Sequence, residues 1–309
     1  MSTPITAALI KELRERTGAG LSDCKKALEA TAGDLAAAAE KLRMEGAAKA
    51  DKKASRTAAE GMIAVAGDGR AVALVEVNCE TDFVAKGEEF RALARAAAEA
   101  ALAHRPATVE ALGALRVDGQ TLDEKRRALV AKIGENLAFR RCEIVESAGG
   151  PLVTYVHPGD RIAVAVAMQR GEETLARDLA MHIAAMSPRY LDAASVPGEV
   201  LEAERKIIAA QVAQQQEEEA AAGKKPKPAE IVARMVDGKL RKFIEEITLH
   251  GQAFVKNEAH GMKADEPIEK LLKAKNAAVA RFVRMAVGEG IEKKQSDFAA
   301  EVMAQVGPR

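Results

Sequence analysis

Tryptophan is absent from the chain, and its aromatic residues come to seven Phe and two Tyr in 309 residues. So few rings argue against a surface built to stack on unpaired bases. Charge of one sign is missing too, because 46 basic residues stand against 46 acidic ones. Coating nucleic acid needs a net positive field, so direct nucleic-acid binding is not expected. Three cysteines, Cys24, Cys79 and Cys142, are odd in number and widely spaced. They suggest neither a disulfide framework nor a zinc cluster, and reduced thiols are expected. No apolar stretch approaches the roughly 18–20 residues that cross a bilayer. Lys11, Glu12 and Arg14 interrupt any secretory leader soon after Ile5. A soluble, cytoplasmic protein without membrane contact is expected.

Covalent chemistry has little to work with. Five histidines are scattered, no pair has metal-ligand spacing, and no glycine-rich cradle precedes a helix. Cys79 stands between Asn78 and Glu80 with no histidine in a local motif. His182 shares a helix face with Leu179 and Met186, as a core or surface imidazole does. No catalytic residue, metal or cofactor is expected.

The length suits two or three compact units. Residues 1–46 read as three short helices: Leu9 and Leu13 mark the first, Ser22 or Asp23 caps a second, Asp34 caps a third, and Gly46 ends it. Residues 47–57, rich in Lys and Arg with almost nothing to bury, read as a linker. Residues 58–147 form one unit: strands over 62–65 and 72–77 joined at Gly67-Asp68-Gly69, helices over 88–103 and 122–133, and a closing strand over 137–145. Residues 148–196 repeat the order, with strands over 152–156 and 162–168 and a helix over 172–186. The spacing predicts an inserted helical hairpin over 197–242, with Val200, Ile207 or Ile208, and Val212 on one arm and Ile231, Met235 and Leu240 on the other. The chain then returns to the second unit over 243–262, with sheet over 243–249 and 254–255. A last module over 263–309 holds a helix over 268–275, a strand over 280–287 and a tail helix through Phe298 and Val302. Helices packed on antiparallel sheets make the class α+β.

One aromatic stands apart. Phe83 falls at a strand-to-helix junction, flanked by Asp82 and Lys86, between the apolar run 72–77 and the helix that begins near Glu88. Patterning leaves two placements open: a ring folded back over its own sheet edge, or a ring presented outward from a rigid scaffold.

The string Glu76-Val77-Asn78-Cys79-Glu80-Thr81-Asp82-Phe83-Val84 resembles the signature of the translation elongation factor Ts family. So do Lys11 to Gly20 with Asp23 to Leu28, Lys132-Ile133-Gly134-Glu135-Asn136, Gly251 to Val255 and Val287 to Lys293, in order along nearly the whole chain. The resemblance implies a ubiquitin-associated-like fold for the first three helices, two sheet units related in fold, a protruding coiled-coil hairpin and a C-terminal helical module. It implies a guanine-nucleotide exchange factor for the GTPase elongation factor Tu, disturbing the magnesium and phosphate site with Thr81, Asp82, Phe83 and Val84. Partner contacts map by resemblance to Arg14, Leu21, Ser22, Ile133, Gly134 and His157. At Leu21 and Ser22 the family often has bulkier apolar residues, and the hairpin tip here is longer than the usual pattern. Complexes of 1:1 and 2:2, the latter through a homodimer, are both compatible with such a hairpin. The competing function is an adaptor whose first helices bind a ubiquitin-like or other small protein.

Overall fold

The computed structural model describes residues 4–292, apart from positions 224 and 226. Three helices open it: α1 (Ala7–Thr17), α2 (Leu21–Ala30) and α3 (Leu35–Lys53). Thr6 accepts from the Leu9 N–H and Asp34 from those of Ala36 and Ala37, which satisfies donors that a first helical turn leaves unpaired. The cap of α2 is Gly20, so Ser22 and Asp23 lie inside its first turn. There Asp23 reaches Lys49 of α3 at 2.9 Å. Leu13, Cys24, Ala27, Leu28 and Ala38 close a small core.

Next come β1 (Glu60–Gly67), β2 (Ala71–Cys79), α4 (Asp82–Lys86), α5 (Glu88–His104), α6 (Val109–Ala114), β3 (Arg116–Val117), β4 (Gln120–Thr121), α7 (Leu122–Ile133) and β5 (Ala138–Glu146). Strands β1, β2 and β5 form an antiparallel sheet in that order. Asp68 accepts from the N–H groups of Arg70 and Ala71, both at 2.8 Å, and so fixes the hairpin turn where the Gly67–Gly69 pattern puts it. Then follow β6 (Leu152–Val156), β7 (Ile162–Arg170), α8 (Glu173–Met186), α9 (Gly198–Ala221), α10 (Ala229–Ile247), α11 (Ile268–Ala274) and β8 (Ala278–Ala286). Here β6, β7 and β8 make a second antiparallel sheet.

Strand alternation explains how these layers stack. Ala73, Val75, Val77 and Cys79 of β2 turn toward Phe90, Leu93, Ala94 and Ala97 of α5. Val164, Val166 and Met168 of β7 turn toward Leu175, Leu179 and Ile183 of α8. The opposite faces meet each other, with Ile63, Val72, Leu74 and Val145 packed on Ala163, Ala165, Ala167 and Met285. The small alanines let the sheets approach. The result is a mixed, antiparallel α+β architecture of helix, sheet, sheet and helix.

A charge is buried at the end of that seam. Glu76 is fully buried, and its carboxylate accepts from Arg140, Arg141, Asn78 and, at 2.8 Å, the Gly288 N–H beyond β8. The same arginines hold the carbonyls of Glu289 and Ala286. Gly288 has φ +72°, and a Cβ there would lie 2.4 Å from the Ala59 carbonyl oxygen. Only glycine fits this crossing. Burial pushes the Glu76 carboxyl up, but the Gly288 N–H, Arg141 and Asn78 outweigh it and hold the group below the usual carboxylate range.

Three expectations are corrected. Gly46 does not end the third helix, which runs on to Lys53 through most of the expected 47–57 linker. Gly46 is buried where α3 meets α7, and a Cβ would lie 3.2 Å from that of Ala131, so the glycine serves close approach. Ala50, also buried, joins the core under the first sheet. Second, α10 continues past position 242 to Ile247, because Phe243 and Ile244 extend its stripe against α9. Residues 243–249 therefore add no strand. Thr248 makes only an isolated bridge with Tyr190, while Phe254 is buried against the second sheet without belonging to it. Third, Ile231 is exposed, and Val236 is buried in the hairpin core instead; the choice between Ile207 and Ile208 falls to Ile208, buried with the expected Val212 and Leu240 while Met235 packs against them and Ile207 is exposed. The expected tail helix through Phe298 and Val302 lies outside the described residues. Among the described residues no helix is long and apolar enough to cross a membrane.

Candidate partner-contact surface

Strand β2 delivers the chain to Thr81, whose hydroxyl oxygen accepts from the Val84 N–H and caps α4. One residue into this five-residue helix, Phe83 is 82 % exposed. The ring does not fold back over the sheet edge. Asp82 pairs with Lys86 at 2.6 Å, and the Lys86 ammonium holds its carboxyl below the usual range. Both side chains are exposed, so this pair adds little to the turn. Val84 is partly buried against the core that includes the buried Ala85, so α4 rests on the sheet through its other face.

Beneath the turn, Cys79 is buried and donates to the Thr81 carbonyl at 3.1 Å. Burial, with the charges of Glu135 and Glu60 nearby, pushes its thiol up to about 12. Such a thiol is a packing group, since the thiolate is the nucleophile.

The remaining sequence-derived contact residues lie at different distances from the turn. Ile133 and Gly134 close α7, with Gly134 left-handed at φ +87°, and the next residue, Glu135, bonds directly to Thr81. Lys132 pairs with Glu89 of α5 at 2.6 Å, tying the end of α7 to the helix that follows Phe83. A Cβ on Gly18, at the end of α1, would sit 3.5 Å from the Lys132 side chain, which brings the first helices beside this corner. Arg14, Leu21 and Ser22 are exposed on α1 and α2, Leu21 at 55 %. His157 is exposed in the turn between β6 and β7, its Nδ1 3.0 Å from the Tyr155 hydroxyl. That turn is pinned to the first unit, because the Ile63 N–H donates to the Asp160 carbonyl at 2.7 Å and Arg91 of α5 pairs with Asp160 at 2.7 Å. Arg14, Leu21, Ser22 and His157 share no hydrogen bond or ion pair with Thr81–Val84 among the described residues. The residue that pattern reading gave no role is Glu135. Its only sequence signal was its place inside the 132–136 block.

On the second sheet the loop after α10 is held by imidazoles. His182 is fully buried: Nδ1 accepts from the Val255 N–H at 3.4 Å and Nε2 faces Gln252 Oε1 at 2.9 Å, which makes it a neutral ring with the proton on Nε2. Phe254 lies between His182 and His260, with centroids 5.6 and 5.3 Å away. Burial lowers the His182 pKa from 6.5, and the Gln252 bond only partly opposes it. A histidine whose folded pKa is depressed leaves the folded state proton-poor, so its contribution is complete above 6.5 and is lost as pH falls below it. Urea unfolding followed between pH 7.5 and 5.5 is expected to show falling stability, and His182→Gln should flatten part of that slope. A slope unchanged by His182→Gln would place the titration elsewhere.

The corner thus presents an outward aromatic ring on a short helix seated on a sheet, a surface open to a partner molecule. A protein-family model described as "Elongation factor TS" matches residues 80–289. Curated relatives named "Elongation factor Ts" agree over nearly the full length. The one from Thioalkalivibrio sulfidiphilus is 51 % identical over 303 residues, covering 97 % of this chain and 98 % of its own. Those from Hydrogenovibrio crunogenus and Methylococcus capsulatus are each 52 % identical, covering 97 % and 98 % of this chain and the same shares of their own. The chain belongs to the elongation factor Ts family.

Proposed function

We propose that this protein is the guanine-nucleotide exchange factor of translation elongation factor Tu. It binds the GDP form, disturbs the magnesium and phosphate site, promotes GDP release and holds the nucleotide-free state until GTP binds. The observation that carries this reading is Phe83, 82 % exposed on a seated turn in a chain of this family. GDP in such a GTPase is held by phosphate-loop N–H groups, a Lys and a magnesium ion that demands near-octahedral oxygens at about 2.1 Å. Small displacements around the metal therefore cost much affinity. A releasing factor needs a wedge and a holding surface, and no proton-transfer group. Phe83 is the wedge, Thr81 and Val84 shape its turn, and Asp82, paired with Lys86, lies at its base. Arg14, Leu21, Ser22, Ile133, Gly134 and His157 supply the surrounding grip.

In this reading α1–α3 are a ubiquitin-associated-like unit, the two sheets with their helices are related subdomains, α9 and α10 are the coiled-coil hairpin, and α11 belongs to a C-terminal module. The work is cytoplasmic, with a protein partner and no nucleic acid bound directly.

Linkage supplies the test. A factor that lowers GDP affinity must itself be expelled by GDP to the same degree. Immobilised protein is expected to capture nucleotide-free elongation factor Tu and to release it on addition of micromolar GDP. Capture indifferent to GDP would instead support the adaptor role for α1–α3.

A further inference from the structure

The Phe83 turn is fastened from outside its own segment. Glu135, in the loop between α7 and β5, accepts three hydrogen bonds from the two residues that precede α4. The N–H groups of Glu80 and Thr81 reach Oε2 at 3.1 and 3.0 Å, and the Thr81 hydroxyl reaches Oε1 at 2.6 Å. The attachment is reciprocal, since the Asn136 N–H donates to Glu80 Oε1 at 2.6 Å. Asn136 is itself buried, and its side-chain amide donates to the carbonyls of Ala54 and Arg56. Lys53 donates to the Gly134 carbonyl from the same side.

Bonds to a carboxylate are stronger than those between neutral groups. The Thr81 hydroxyl has one hydrogen, and Glu135 takes it, which turns the oxygen's lone pair toward the Val84 N–H it caps. One side chain thus sets both the direction in which the chain enters α4 and the cap that starts it. A helix of five residues has no stability of its own. Phe83, exposed, contributes no packing that could orient it.

We infer that Glu135 is a positioning residue for Phe83: it holds the ring in its inserting geometry before the partner arrives. The inference rests on the reading of Phe83 as the wedge. Without the carboxylate, two backbone N–H groups and a hydroxyl lose their common acceptor, and ordering of the turn is deferred to the encounter.

The experiment is a four-protein cycle: release of fluorescent GDP from elongation factor Tu by the unaltered chain, Phe83→Ala, Glu135→Ala and the double variant. Amide hydrogen exchange at residues 80–86 is measured in each free protein. Glu135→Ala is expected to lower stimulation about tenfold, as befits loss of a charge-assisted bond, and to speed amide exchange at 80–86. In the Phe83→Ala background it should have no further effect. Glu135→Gln, which keeps one carbonyl oxygen, should recover part of the loss, and it carries the cycle should Glu135→Ala fold poorly. Losses that multiply in the double variant, or amide exchange left unchanged, would overturn the inference while the wedge stands. Full stimulation by Phe83→Ala alone would remove the wedge and this inference with it, a result that needs no Glu135 variant to recognise.

Discussion

Phe83→Ala is expected to stimulate GDP release from elongation factor Tu about 30- to 140-fold less than the unaltered chain, while unfolding at the same denaturant concentration. The ring is 82 % exposed in the free protein, so its removal takes nothing from the core. Its value appears only when a partner buries it. Burying an aromatic of this size is worth about 2–3 kcal/mol, and each 1.4 kcal/mol is about tenfold in an equilibrium constant. Stopped-flow release of a fluorescent GDP reads the effect directly. Phe83→Leu, which keeps apolar volume without the flat ring, should fall between the two. Equal stimulation by the Ala variant would take Phe83 out of the mechanism and leave family membership untouched.

The second large effect is on folding. Glu76→Ala should cost about 3 kcal/mol of stability, the lower end for breaking a buried ionic group. The carboxylate has no exposure, whereas Arg140 and Arg141 keep 27 % and 32 % and can rehydrate in part. Its loss also strands the Gly288 N–H and leaves the crossing after β8 tied to the first sheet by Arg140 and Arg141 without their central anion. Because the folded pKa is depressed below the ordinary 4.5, the stability Glu76 supplies is present above that value and lost as pH falls through the folded pKa. Glu76→Gln keeps the volume and removes the charge, so its unfolding free energy should lose that part of the acid dependence. Urea titrations at pH 7 and pH 4 separate the two. A Gln variant as stable as the parent at pH 7 would show that shape, rather than charge, holds the seam.

Much of the fold was legible because its signals were local. The 122–133 helix was read to the residue, and in the structure Thr121 and Glu124 form a capping box at its start. The 152–156 strand was bounded by turn residues on both sides. The misreadings share one cause. Gly46 carries the same letter whether a helix stops or two helices touch, and only Ala131, 85 residues away, decides. Phe243 and Ile244 suit a strand as well as the last turn of α10, until α9 is beside them. At the candidate contact surface Phe83 stood out as a scarce residue type in an unusual place. Glu135 did not, because its partners at Glu80 and Thr81 are mostly backbone N–H groups, which every sequence has. Glu76 hid for a related reason: both faces of β2 are covered, so the alternation that would flag an inward charge is erased.

The helical run from Gly46 to Lys53 and the clasp of Asn136 on residues 54 and 56 fix the span between the N-terminal helices and the aromatic tip. If a partner is gripped at both places, as the proposed contacts require, the molecule acts as a pair of callipers set to one gap. A partner that matches the gap would then engage both jaws in a single encounter, with no search by a dangling arm. One that offers either patch at another spacing would be gripped by one jaw only, and selectivity would then reside in a distance as much as in any side chain.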